Sequence, residues 1–445
     1  MSEISYKYRF LARVVLEAKT PLAIGSGKED IFTDALVATD VNGLPYIPGT
    51  SIAGVLRSMI GDKQTEPFFG FKGIKGKGGK GSKVIFTEAK ILNSQGEIVD
   101  GLKLDAFEDS LLTNYKELPI RQHVRMNSKG TGEDKGKFDE QVVFAGTRFC
   151  FEIEFLSEDD ADEANFKAIL SCINKNTFRL GSGSRSGFGE IEVVEIKTLI
   201  LNLSNATDLQ AYLEKSSDLS KDFAQWKDND KESVADENWT TYEITLKPND
   251  FFNFSSGFGD EEADSVPVVA RKVEWANGEG KLSEPNTLIP ASSVKGALAH
   301  RVAFHYNKLK KCYAGGTGNN APKVGGENFA VRALFGYSDS KTQERGNMLF
   351  SDIIKEKRFE EKIINHVSID RFTGGGIDGA LFSEKATYAK GEEIKFTVLL
   401  NKCVTDTDVI VAWENTLNDL CHSMLPLGGA VNKGYGMFTG NWTKK

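Results

Sequence analysis

Polar and apolar positions alternate along residues 7–18 (KYRFLARVVLEA) and again along 240–247 (TTYEITLK), the period-two pattern of a strand with one buried face. The alternation returns at 147–156 and 392–400, and each of these stretches is followed by amphipathic helical spacing, over about 159–174 and 407–422. Helix-like segments also follow Pro48 and Pro290. The proline falls near the N-cap, and Thr50-Ser51 or Ser292-Ser293 are available to cap the first free N–H groups. Further strands are predicted at 83–90 and 347–354, and long hairpins or loops at 120–145 and 364–390. A glycine-rich loop and a last strand close each series. The order strand, helix, strand, excursion, strand, helix, strand predicts an α+β fold. It is read as two tandem ferredoxin-like modules, each with an inserted hairpin.

The two series are copies of one pattern. Gly25-Ser26-Gly27 precedes Asp34 as Ser255-Ser256-Gly257 precedes Asp264, with the aspartate seven residues after the last glycine in both. IPGTSIAGVLR (47–57) matches IPASSVKGALAHR (289–301), and the segments 68–90 and 334–354 run in parallel. His123-Val124 and His366-Val367 open the two hairpin segments, which continue to Phe138 and Phe382. LGSGSRSGFGE (180–190) matches LGGAVNKGYGM (427–437) with glycines at the same offsets. Five ordered matches within one chain establish a duplication. The modules are expected over 1–202 and 239–445, with residues 203–238 as a charged, partly helical linker.

Composition narrows the class. With 40% hydrophobic and 27% charged residues, the 445-residue chain can bury a sizeable core. Its 55 Lys and Arg against 63 Asp and Glu give a net charge of −8, which excludes a uniformly basic nucleic-acid coat but not local basic patches. The five cysteines form no CxxC pair, so neither a disulfide framework nor a zinc knuckle is expected and a reducing compartment is favoured. The N-terminus reads as no signal peptide, and no apolar run approaches the ~20 residues that span a bilayer. A soluble, cytoplasmic protein without membrane contact is expected.

Candidate chemistry follows the 44 glycines. A loop such as Gly181-Ser182-Gly183-Ser184-Arg185, between a helix and a strand, exposes backbone N–H groups and lets a polyanion approach closely. Gly428, Gly429, Asn432 and Lys433 stand in the second copy. Neither loop ends in GK[ST], so neither is a P-loop. The helix starts at Thr50, Ser51, Ser292 and Ser293 are potential phosphate seats. Lys295 adds a cation in the second helix where the first has Ala53, and Arg57 adds one where the second has Ala299. GFKGIKGKGGKGSK (70–83), with Lys72, Lys75 and Lys77, is a basic loop suited to a phosphate backbone. Each feature also has an ordinary explanation as a turn, a cap or a solvated loop. Asp34 and Asp264 are the chemical candidates: exposed carboxylates that recur at one offset among acidic neighbours. His123 and His366 recur too, as contacts to RNA, as structural groups, or as a general acid and base.

The GSG-x6-D loop, the IPG[TS]S-x2-G-x2-R segment and the C-terminal glycine-rich loop together resemble the RAMP backbone subunits of type III CRISPR effector complexes. The hairpin segments agree, the second better than the first, through Ile369-Asp370-Arg371; in the first, His123 and Arg125 hold the corresponding stretch. RNA-recognition (RRM-like) folds share the module topology. Two modules in one chain resemble a fused double-RAMP subunit. The resemblance implies that each module holds guide RNA (crRNA) through its glycine loops and helix start, at the residues named above. It implies a thumb hairpin that wedges into the guide–target duplex. It further implies cleavage of complementary target RNA at Asp34 and Asp264, with Mg2+ or another divalent cation and with the RNA 2′-hydroxyl as nucleophile. The metal ligands are left unknown. Partners would be the guide, the target and other effector subunits. A non-catalytic scaffold, and a metal-independent nuclease acting through the histidines, stay open as alternatives.

Overall fold

The computed structural model describes residues 6–31, 33–73, 78–127, 130–229, 231, 233–338 and 342–445. The first module contains β1 (Tyr8–Ala18), α1 (Gly49–Ile60), β2 (Val84–Phe86), β3 (Arg148–Ser157), α2 (Glu163–Ile173) and β4 (Ile191–Asn202). The second repeats the series as β5 (Trp239–Pro248), α3 (Ala291–Leu309), β6 (Met348–Leu349), β7 (Ile394–Asn401), α4 (Thr407–Cys421) and β8 (Phe438–Lys444). The sheets have spatial orders β2-β3-β1-β4 and β6-β7-β5-β8 with antiparallel neighbours. Both are the ferredoxin-like order expected from the chain pattern. Each sheet packs its helices over a core of its own, built around Phe10, Phe151 and Phe155 in one module and Tyr242, Trp413 and Phe438 in the other.

The period-two pattern of β5 is met as a half-buried strand. β1 is not: Leu11, Arg13 and Val15, on its outward side, are buried as well. The residues expected as a charged linker cover that side. Helix Ala206–Glu214 and its sequel place Ala211, Leu209, Tyr212, Phe223 and Trp226 against Leu11, Leu199 and Leu201. Arg13 is sealed beneath them, with Glu152 at 2.8 Å and the Trp226 ring over its guanidinium at 5.6 Å.

The two excursions are β-hairpins, Ile120–Met126 with Gly132–Gln141 and Glu360–Ile369 with Gly376–Tyr388. Pro48 and Pro290 occupy the helix N-caps, as expected, but no first-turn hydroxyl caps either start. The hydroxyls expected to do so are replaced at α3 by the Asp352 carboxylate, which accepts the Ala291 N–H at 2.8 Å.

The modules are joined through a hairpin of the second, Val273–Ala276 with Glu279–Leu282, which lies on the first. Val273 enters the first module's core, and Val273 N donates to Ala145 O at 2.7 Å. Trp275 Nε1 donates to Gly146 O at 2.8 Å while the Arg148 guanidinium stacks 4.3 Å from its ring centre. Gly146 is required here: its φ is +79°, and a Cβ would collide with the Val273 backbone.

Candidate RNA-binding and cleavage sites

In each module the aspartate loop lies between the glycine loop and the hairpin, held by the same backbone bonds. Gly25 bridges Val37 and Ser255 bridges Pro267, which closes the two loops in one register. Ser26 N donates to Leu36 O at 2.8 Å, and Ser256 N to Val266 O at 2.9 Å. On one flank the glycine loop is pinned alongside, with Ser182 N donating to Ala23 O at 2.8 Å and Gly429 N to Asn253 O at 2.7 Å. Gly181 (φ +80°) and Gly428 (φ +91°) leave room for those carbonyls, which a Cβ would strike.

On the other flank the aspartate is tied to the hairpin. Asp34 Oδ2 accepts the Asp139 N–H at 2.8 Å, and Asp34 N donates to Asp139 O at 3.1 Å. Asp264 Oδ2 accepts the Ser383 N–H at 2.8 Å and its hydroxyl at 2.9 Å, and Asp264 N donates to Ser383 O at 3.0 Å. The Ser383 N–H, then its hydroxyl, hold the Asp264 carboxyl below the usual carboxylate range. Both aspartates are exposed. A carboxylate fixed through one oxygen can use the other to accept a hydroxyl proton or meet a cation.

Beside each aspartate a second cluster recurs, of which the histidine, the hairpin phenylalanine and Lys433 stood out in the sequence but the glutamate did not. His123 stacks on Phe138 (4.8 Å between ring centres), meets Phe188 of the glycine loop edge-on, and has Glu140 Oε1 at 3.0 Å from Nε2, though poorly aligned for a hydrogen bond. His366 Nε2 lies 2.8 Å from Glu384 Oε1, which also accepts from Lys433 at 3.3 Å. Burial pushes Glu384 up, and His366 and Lys433 more than offset it, leaving its carboxyl below the usual range. Burial, with Glu384 beside it, pushes the Tyr435 phenol up. His123 therefore lies against its glycine loop and His366 is linked to its own through Glu384 and Lys433, each with Nε2 facing a carboxylate. Glu140 and Glu384 stand two residues after Phe138 and Phe382, an offset that comparison of the repeats alone could have flagged.

The remaining predicted residues divide. Thr50, Ser51, Ser184 and Arg185 line one cavity of about 810 Å³ between the modules, with Arg179 and Arg345. Arg185 donates to Gly346 O of the second module, and Lys295 Nζ lies 3.4 Å from Ser186 Oγ. Burial, with Arg185 nearby, pushes the Lys295 amine down to about 8. Arg57 stands in the last turn of α1. Ser255 Oγ meets Ser265 Oγ at 3.0 Å, and Ser292 and Ser293 lie in the first turn of α3. Asp370 accepts the Phe372 and Thr373 N–H groups and so shapes the second hairpin's tip, where Arg371 and Phe372 are exposed. Arg125 is exposed on the first hairpin, and Asn432, Gly428 and Gly429 are exposed on the second glycine loop. Lys72 is exposed; Lys75 and Lys77 lie outside the described residues.

Among the described residues no three His, Cys, Asp or Glu side chains come together as a metal cage. No helix among them is long and apolar enough to cross a membrane.

No curated protein matches the chain. The RAMP superfamily model matches residues 15–192 and 275–439, the first span containing Asp34 and the second beginning after Asp264. Two matched spans, laid over two copies of one ferredoxin-like module, show that this chain belongs to the RAMP superfamily of RNA-binding, CRISPR-associated proteins and carries the family's domain twice.

Proposed function

We propose that this chain is the guide-RNA-binding backbone subunit of a type III CRISPR effector complex and that it cleaves complementary target RNA at two positions, one per module. One observation carries the reading. In both modules a loop aspartate, seven residues after a glycine, is tied through Oδ2 to a peptide N–H at the same rung of the hairpin. A structural hydrogen bond alone would not need the same carboxylate twice in an exposed loop.

In this reading the cavity at Thr50, Ser51 and Arg185 receives guide phosphates at a helix start whose N–H groups no side chain caps. The hairpins present exposed Val124, Met126 and Phe138 in one module and Val367, Ile369, Phe372 and Leu381 in the other. Such apolar faces suit insertion between bases. Asp34 and Asp264 orient the target's 2′-hydroxyl for attack on the adjacent phosphate. The 2′-hydroxyl gives its proton to the carboxylate or to water as the 2′-oxygen–phosphorus bond forms, the bond to the 5′-oxygen breaks, and that oxygen takes a proton from water, which leaves a 2′,3′-cyclic phosphate and a 5′-hydroxyl. A divalent ion belongs to the reading, but among the described residues no three ligating side chains build a cage for it; its other ligands would be RNA oxygens and water.

The test uses the assembled complex with guide and labelled complementary RNA, with Mg2+ and then EDTA, comparing wild type with Asp34→Ala, Asp264→Ala and the double variant. Loss of one distinct cut per single variant, with target binding retained, supports the two-site ribonuclease. Survival of all cuts in the double variant makes the chain a scaffold.

A further inference from the structure

The Arg121–Asp352 pair crosses from the first module's hairpin to the strand region of the second, and the Asp352 side chain is only 1% exposed. Asp352 fastens three elements. Oδ2 takes Arg121, Oδ1 takes the Ala291 N–H at the start of α3, and its own N–H donates to Gly187 O of the first glycine loop at 3.0 Å. Arg121 faces Glu140 in the hairpin register, and Glu140 in turn bridges Ala35, the residue after Asp34. The anchor is thus one rung from the tether that orients the aspartate. The second module has no such arm: Ile364 takes the place of Arg121, facing Glu384, and Lys433 of the module's own glycine loop reaches Glu384 instead.

We propose that Asp352 is a positioning residue for the Asp34 site: through Arg121 it fixes the hairpin of the first module, so the first cut depends on the second module, while the tether of Asp264 to Ser383 lies within the second module itself. The inference rests on the ribonuclease reading. A sealed carboxylate that loses its guanidinium is left uncompensated, and the hairpin loses its anchor. A shift of about 1 Å in a reacting group is enough to cost roughly 100-fold in rate.

The assembled complex with guide and labelled target would be compared as wild type, Asp352→Asn, Arg121→Gln and Arg121→Lys. Single-turnover rates at both cuts and target affinity would be read, with amide hydrogen exchange of each variant without RNA. Asp352→Asn and Arg121→Gln should slow the Asp34 cut roughly 10- to 100-fold. At saturating target the Asp264 cut should fall less than the Asp34 cut, and exchange should rise over 120–141 but not 360–388. Arg121→Lys, which keeps the charge, should restore most of the rate. Equal loss at both cuts, an unchanged Asp34 cut, or unmoved exchange over 120–141 overturns the proposal. If Asp352→Asn does not fold, Arg121→Gln decides. If wild type cuts nowhere, the ribonuclease reading fails, and the exchange data alone decide whether Asp352 holds the hairpin.

Discussion

Asp34 and Asp264 owe their orientation to peptide N–H groups of the hairpins, which persist whatever side chain stands at 139 or 383. Replacing the carboxylate by its amide keeps the shape and removes the charge. Asp34→Asn and Asp264→Asn should each lower one cut roughly 100-fold or more, read as single-turnover rates at each position. Lys295 offers a pH test. Its amine titrates near 8 in the free protein, against an ordinary 10.5. A phosphate beside it would raise that value, so guide binding should take up a proton. Affinity should therefore fall as pH rises above about 8, and Lys295→Gln should flatten the dependence. The sign for stability is opposite. Between about 8 and 10.5 the unfolded chain binds the proton more tightly, so this group makes the RNA-free protein more stable as pH rises through that window.

At the scale of elements, the hairpin tips separate stability from binding. Phe372 is 98% exposed, so Phe372→Ala should leave the unfolding midpoint almost unmoved. If its ring stacks on a base, the same change should weaken target binding by about 1–3 kcal/mol, measured by titration with labelled target. Gly187 behaves in the reverse way. Its φ of +121° and its contact with Ala291 and Asp352 leave no room for a Cβ, so Gly187→Ala should loosen the junction at a cost of about 1–3 kcal/mol in urea denaturation. The strands, helices and hairpins were legible because alternation, helical spacing and the internal repeat all pointed to the same boundaries. The aspartate loops were legible for the same reason. Arg121 and Asp352 were not, nor was Arg179, which donates to Ser351 Oγ at 3.0 Å: these contacts cross the module junction, and no periodicity along a chain reports a contact between residues 121 and 352. Arg185 and Lys295, read singly as phosphate ligands, come together only because α3 docks against the first glycine loop.

At the scale of the whole molecule, the two sheets are separate but their cores are not independent. Trp275→Ala removes a ring, an indole hydrogen bond and a stacked guanidinium at once. It should destabilise the first module, which does not contain Trp275 in sequence, by about 2–4 kcal/mol, read from the shift in its urea midpoint. The repeat boundary gave no sign of this, since at the place of the hairpin 273–282 the first copy has only the short turn closed by Thr39 and Pro45. Its placement also bears on synthesis. The ribosome makes the chain from the N-terminus, and the first module's core is incomplete until Val273, Trp275 and Leu282 have emerged. The nascent first module must wait with an open seam around Gly146, and a gene cut between the repeats would release a product that never receives its last strands.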